Sequence, residues 1–205
     1  ILCHDENTIL QRKDININTR NKNGWMPDST RRSWYYQQFL KLFAYQTITL
    51  SERFLIWDAD NVLLKFYSPT EGQKTRFVTG GFDTNPYPKT SKALTGLMSN
   101  RNDIVVHQML FDREILDELM IHLCGAVRKE SCVNINMDNI PNSANPILGF
   151  SEYNLYYTWL HKQAPESIFI DESIKFERTD PLNKGSGTQE QCEMANAKYA
   201  ENVYM

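Results

Sequence analysis

Apolar residues recur along this chain in two alternating rhythms. Phe54, Leu55, Ile56 and Trp57 run without a polar break and stop at Asp58. A short continuous apolar run with polar ends predicts a strand buried on both faces. Asp103 to His107 (DIVVH) predicts a second such strand with a polar end. Thr75 to Val78, leading to Gly80-Gly81, and Ile168 to Ile170, ending at Asp171-Glu172, predict two more. Ile1 to His4 reads as a strand end, and Val62 to Leu64 as a chain re-entering the core.

Between these runs the period lengthens to that of a helix. Over residues 29 to 47, Tyr36, Leu40 and Phe43 share one face with Phe39 beside them, behind a cap at Asp28, Ser29 or Thr30. Lys92 to Met98 predicts a helix capped by Thr90 or Ser91. From Arg113 to about Leu123 a helix capped by Asp112 buries Ile115, Leu116, Leu119 and Met120, and it ends near Gly125. SEYNLYYTWLHKQ predicts a helix with Ser151 as its cap and Glu152 in the first turn, where the helix dipole favours a negative charge. Residues 11 to 30 and 131 to 149 follow neither rhythm and read as loops. The second is long enough to serve as a lid or binding loop. Strands alternating with helices predict an α/β domain whose cleft lies outside the carboxyl ends of its strands.

At 205 residues the chain is long enough for one domain, 1 to 180, with a polar and partly helical tail over 181 to 205. A net charge of −3 excludes a wide nucleic-acid footprint, so no nucleic-acid partner is expected. No apolar run approaches the about 20 residues that span a bilayer, and no signal peptide opens the chain. The cytoplasm is the default expectation. The opening Ile1-Leu2-Cys3, without Met, leaves room for a missing N-terminal segment. Cys3, Cys124, Cys132 and Cys192 lack metal-type spacing and are expected to be reduced packing residues.

The candidate chemistry lies at the end of the first long strand. Asp58 and Asp60 stand two apart with Ala59 between them, and two carboxylates at a strand edge call for a cation. Two enzyme classes use this arrangement. In glycosyl transfer from a nucleotide sugar, a divalent ion held by Asp-x-Asp offsets the charge of the departing diphosphate, and an inverting enzyme adds a carboxylate base. In phosphatases of the haloacid-dehalogenase type the first Asp is the nucleophile and the second the acid/base, and Asp58-Ala59-Asp60-Asn61-Val62 fits that pattern too. That class wants a Ser or Thr where His107 stands, and its nucleophile strand near the start of the domain.

Four blocks in order, Trp34 to Leu42 (WYYQQFLKL), FLIWDADNVLL, Val105 to Arg113 (VVHQMLFDR) and Phe150 to Leu160 (FSEYNLYYTWL), resemble a family of uncharacterised glycosyltransferase-like proteins. That family is similar to nucleotide-sugar transferases of the GT-A fold, and the resemblance spans roughly residues 1 to 175. It implies a Rossmann-like, mixed and mostly parallel central sheet flanked by helices. It implies a nucleotide-sugar donor, a glycan or other hydroxyl acceptor, and Mn²⁺ or Mg²⁺ held by Asp58 and Asp60, with His107 as a further ligand or acceptor contact. Gln38 and Lys41 would face the donor, with Trp34 and Gln108 as further substrate contacts, and Glu152 would be the catalytic base. The plain alternatives are a hydrogen-bonded strand-end histidine for His107, a first-turn dipole partner for Glu152, and a core helix with a wet polar side for residues 29 to 47. A third functional reading is a non-catalytic sugar- or nucleotide-binding module. A GT-A domain opens with a strand–helix–strand unit, of which only Ile1 to Asp5 would be a remnant, so either the chain is a fragment or the base is held differently.

Overall fold

The computed structural model describes residues 3–59, 66–79, 87–101, 103–104, 107–176 and 203–204. The six helices among them are α1 (Glu6–Ile9), α2 (Arg32–Phe43), α3 (Tyr87–Thr95), α4 (Arg113–Cys124), α5 (Lys129–Asn139) and α6 (Glu152–Gln163). The strands are β1 (Arg53–Trp57), β2 (Thr70–Glu71), β3 (Lys74–Val78), β4 (Gln108–Asp112), β5 (Ile168–Asp171), β6 (Lys175–Phe176) and β7 (Val203–Tyr204). The chain is a mixed α/β protein. Its described strands form three small sheets: β1 antiparallel to β4; β3 between antiparallel β2 and parallel β5; and β6 parallel to β7. A single, mostly parallel sheet is therefore not what these strands build.

Helix α6 is the centre of the molecule. Every residue from Glu152 to Leu160 is buried, the pattern of a helix enclosed on all sides. Ser151 caps it by accepting from the Asn154 N–H. On one side the β1–β4 ladder presents Phe111 to Tyr156, with ring centroids 4.6 Å apart, and Phe54 stacks behind Phe111. On another side Phe77 of β3 meets Tyr157 edge-on at 5.1 Å. Helix α2 lies against α6 as well, entered through a 3₁₀ turn that Asp28 caps at the Thr30 N–H. Its Tyr35, Tyr36, Phe39 and Leu42 are in the core, and Phe39 stacks on Phe150 just ahead of α6.

Several expectations are corrected. Strand β1 is buried on one face rather than two, since Leu55 stays 39% exposed opposite the α6-facing Phe54. The described strand here is Gln108–Asp112; Asp103, Ile104 and His107 of the expected segment are not in a strand, Val105 and Val106 lie outside the described residues, and His107 directly precedes the strand. Helix α3 begins five residues earlier than the predicted 92 to 98 and stops at Gly96, whose φ of +75° ends the turn cheaply. The 131 to 149 stretch is not wholly irregular, because α5 occupies its first half. Cys3 and His4 are not in a strand, and Asp5 caps α1 instead.

Cys124 and Cys132 form a disulfide that ties the end of α4 to α5, so these two thiols are not reduced packing residues. Disulfides persist chiefly in oxidising compartments, and the cytoplasmic expectation gains nothing from the cysteines. Cys3 is free and exposed. Among the described residues no helix is long and apolar enough to cross a membrane. Cys192, Val62 to Leu64, Gly80-Gly81 and the tail from Asn183 to Asn202 lie outside the described residues.

Candidate functional site

The site grows from the point where the β1–β4 ladder ends. The Asp58 N–H donates to the His107 carbonyl at 2.8 Å, one step past the Trp57–Gln108 pair. That bond places Asp58 and His107 side by side. Their side chains take the face of the ladder that also carries Phe111, because successive strand residues alternate. His107 Nδ1 lies 3.2 Å from Asp58 Oδ2.

Three side chains from two helices close over this pair. Lys41, in the last turn of α2, brings its ammonium to 2.6 Å from Asp58 Oδ1 and 2.9 Å from Glu152 Oε1. The same ammonium donates to the Tyr153 hydroxyl at 3.3 Å and sits 4.6 Å from the centre of that ring. The Tyr153 hydroxyl in turn reaches Asp58 Oδ1 at 3.5 Å. Glu152 and Tyr153 are neighbours in the first turn of α6 because Ser151 fixes where that helix starts.

Burial is graded through the cluster. Glu152 is fully buried, Lys41 nearly so, and Asp58 and His107 remain partly open, with side chains 17% and 26% exposed. Neither Glu152 oxygen accepts an aligned hydrogen bond among the described residues, although Oε1 is in ion-pair contact with Lys41. Burial dominates at Glu152 and raises its carboxyl above the ordinary glutamate range, against the pull of Lys41. At Lys41 burial acts to lower the ammonium, but Glu152 and Asp58 more than offset it and leave it above the ordinary lysine range. At Asp58 burial is likewise outweighed, here by the His107 contact and by Lys41, and its carboxyl is held below the usual range.

Of the residues singled out from the sequence, Lys41, Asp58, His107 and Glu152 are thus brought together. Asp60 lies outside the described residues. Gln38 is buried and turns back on its own helix, donating to the Trp34 carbonyl at 3.1 Å. Trp34 packs edge-on to Tyr35 with Arg31 over its ring. Gln108 belongs to the opposite face of the ladder from His107, and its Oε1 is buried without a donor among the described residues. Sequence reasoning missed Tyr153. Its signal was its place directly after Glu152, in the turn that a serine cap anchors.

The donors fit a divalent ion in kind. A carboxylate and an imidazole in contact offer the oxygen and nitrogen ligands that suit Mn²⁺, and the carboxylate alone suits Mg²⁺. No three His, Cys, Asp or Glu side chains stand close enough to enclose an ion among the described residues, and Asp60 is not one of these. Comparison of the chain with protein-family models, with curated proteins and with solved structures returns no match.

Proposed function

We propose that this chain is a GT-A-like, metal-dependent glycosyltransferase that moves a sugar from a nucleotide-diphosphate donor to a hydroxyl acceptor. The observation that carries the reading is the convergence of Lys41, Asp58, His107 and Glu152. Four separate segments deliver two carboxylates, an ammonium and an imidazole to one strand end.

Asp58, Asp60 and His107 would hold Mn²⁺ or Mg²⁺, which when bound offsets negative charge on the departing diphosphate. Lys41 keeps its proton beside Asp58 and adds positive charge to the same end of the cluster, which favours the phosphate oxygens of a donor. Tyr153 holds that ammonium through its hydroxyl and its ring. Glu152 belongs to the site in a different capacity from the base that the resemblance implies. An acceptor hydroxyl must come within hydrogen-bond reach of a base, and the side chain of Glu152 is fully buried, with Lys41 against it. It acts as the charge behind the ammonium.

The test is thermal stabilisation by nucleotide sugars with and without Mn²⁺. A ligand that binds the native state alone raises the melting temperature, and the expected shift requires sugar nucleotide and metal together. Asp58→Asn should weaken metal-dependent donor binding by about 10²-fold or more, the scale at which losing one such electrostatic partner is felt. Phosphate release from small phosphoesters, with no response to nucleotide sugars, would replace this reading with the phosphatase. A shift with neither transfer nor donor hydrolysis would replace it with the binding module.

A further inference from the structure

One ammonium serves two carboxylates in this site. Lys41 Nζ is 2.6 Å from Asp58 and 2.9 Å from Glu152, so it is already in contact with both. The two partners differ. Asp58 lies at the partly open edge beside His107, and both of its oxygens are engaged. Glu152 lies at the closed end with neither oxygen in an aligned hydrogen bond among the described residues. Any cation that is to use Asp58 must compete with an ion already there.

We propose that Lys41 is an exchangeable counter-ion: a divalent cation arriving at Asp58 moves the ammonium off that carboxylate and onto Glu152. This rests on the metal-dependent reading above and assigns Glu152 its part in it. Expelling the ammonium to water would leave Glu152 as an unpaired buried charge, which is strongly unfavourable. Transfer to Glu152 keeps both charges paired and strengthens a contact that Lys41 already makes at 2.9 Å. Lysine suits the move, since its ammonium is a compact charge with three rotatable donors on a flexible stem. The planar fork of arginine would not pivot in this way. The Tyr153 ring, 4.6 Å from the ammonium, keeps a π-face beside the cation. Glu152 is then a positioning residue whose effect on the metal passes through Lys41.

Mn²⁺ alone is the probe, titrated by electron paramagnetic resonance into the wild type, Glu152→Gln and the double variant Lys41→Met/Glu152→Gln, with thermal melts confirming that each is folded. In Glu152→Gln the ammonium has Asp58 as its one remaining carboxylate among the described residues, so Mn²⁺ affinity should fall about 10–100-fold, the range for losing a supporting residue behind a metal ligand. Removing Lys41 as well should restore affinity to the wild-type level or beyond it, because the ammonium then no longer competes for Asp58. Wild-type affinity in Glu152→Gln, or a double variant as weak as the single one, overturns the proposal.

Nitrogen-15 spectra of the Lys41 ammonium with Mg²⁺ give an independent reading. A shifted signal that stays protected from solvent supports the exchange, while an unchanged signal, or one released to solvent, overturns it. A wild type that takes up no Mn²⁺ under any condition removes the metal-dependent reading itself, an outcome distinct from a wild type that binds and variants that do not respond.

Discussion

Several clusters among the described residues place one cation between two carboxylates, and the two built on Arg101 and Lys41 solve the problem differently. Arg101 reaches Asp103 with two parallel bonds, Nε at 2.9 Å and Nη2 at 2.8 Å, and turns Nη1 to Glu172 at 2.9 Å. Glu172 is largely exposed and Asp103 lies two residues from its partner in sequence. Every contact is geometrically matched. Lys41 instead draws its partners from a strand end and a helix start, with one carboxylate wholly inside and short of hydrogen bonds. The first cluster is a rivet. The second holds charge in a place where charge is costly.

The contrast is most sharply broken by removing the cations. Lys41→Met strands two carboxylates in a poorly solvated site and should cost about 3–5 kcal/mol, read as a loss in denaturant midpoint. Adding Glu152→Gln to it should recover much of that loss, because an amide in place of the buried carboxylate needs no counter-ion. Arg101→Met should cost less, about 1 kcal/mol, since Glu172 is largely exposed and no partner of Arg101 is fully enclosed as Glu152 is. Equal losses at the two positions would erase the distinction.

Acid separates the clusters by sign. Asp103 is held below the ordinary carboxylate range by Arg101, so its stabilisation is present above about pH 4 and is lost as pH falls through its lowered value. The melting-temperature gap between wild type and Arg101→Met should therefore close on acidification. Glu152 is shifted the other way. The folded state binds its proton more tightly than the unfolded chain does, so its contribution falls as pH rises above about 4.3, the usual glutamate value. Glu152→Gln should gain relative to the wild type over that rise. The smallest effect is that of salt. At 1 M the screening length is about 3 Å, which should trim the Arg101 contribution and leave that of the enclosed Lys41 nearly intact.

How much of this could be read from the chain follows from where the information sits. Helices α2, α4 and α6 were legible because their caps and apolar periods are local, and Asp28, Asp112 and Ser151 all cap as expected. Helix α5 was not. KESCVNINMDN is poor in helix formers, and it is held by burying Cys132, Val133, Asn136 and Met137, by its disulfide, and by the Asn136 side chain bonding back to the Cys132 carbonyl. Apolar content also misplaced β4, since DIVVH is the more strand-like string but QMLFD pairs with β1.

At the site, residue types were legible and roles were not. Asp58 announced a need for positive charge. Nothing local could tell that Lys41, seventeen residues earlier, already supplies it, or that Glu152 lies too deep to meet a ligand first. Gln38 and Gln108, which the resemblance places against the substrate, do not reach the cluster: Gln38 bonds back to Trp34, and Gln108 is on the face of the ladder opposite His107.

Enclosure of α6 sets the terms on which this protein can vary. From Glu152 to Leu160 no side chain looks outward, so the segment has no free surface on which substitutions could accumulate harmlessly. A saturation scan should find its narrowest tolerance there, narrower than along α4, whose outer side is open. The same nine residues touch the charged cluster at one end and the β3 strand one turn later, so a volume change tolerated by one neighbour is handed to the other.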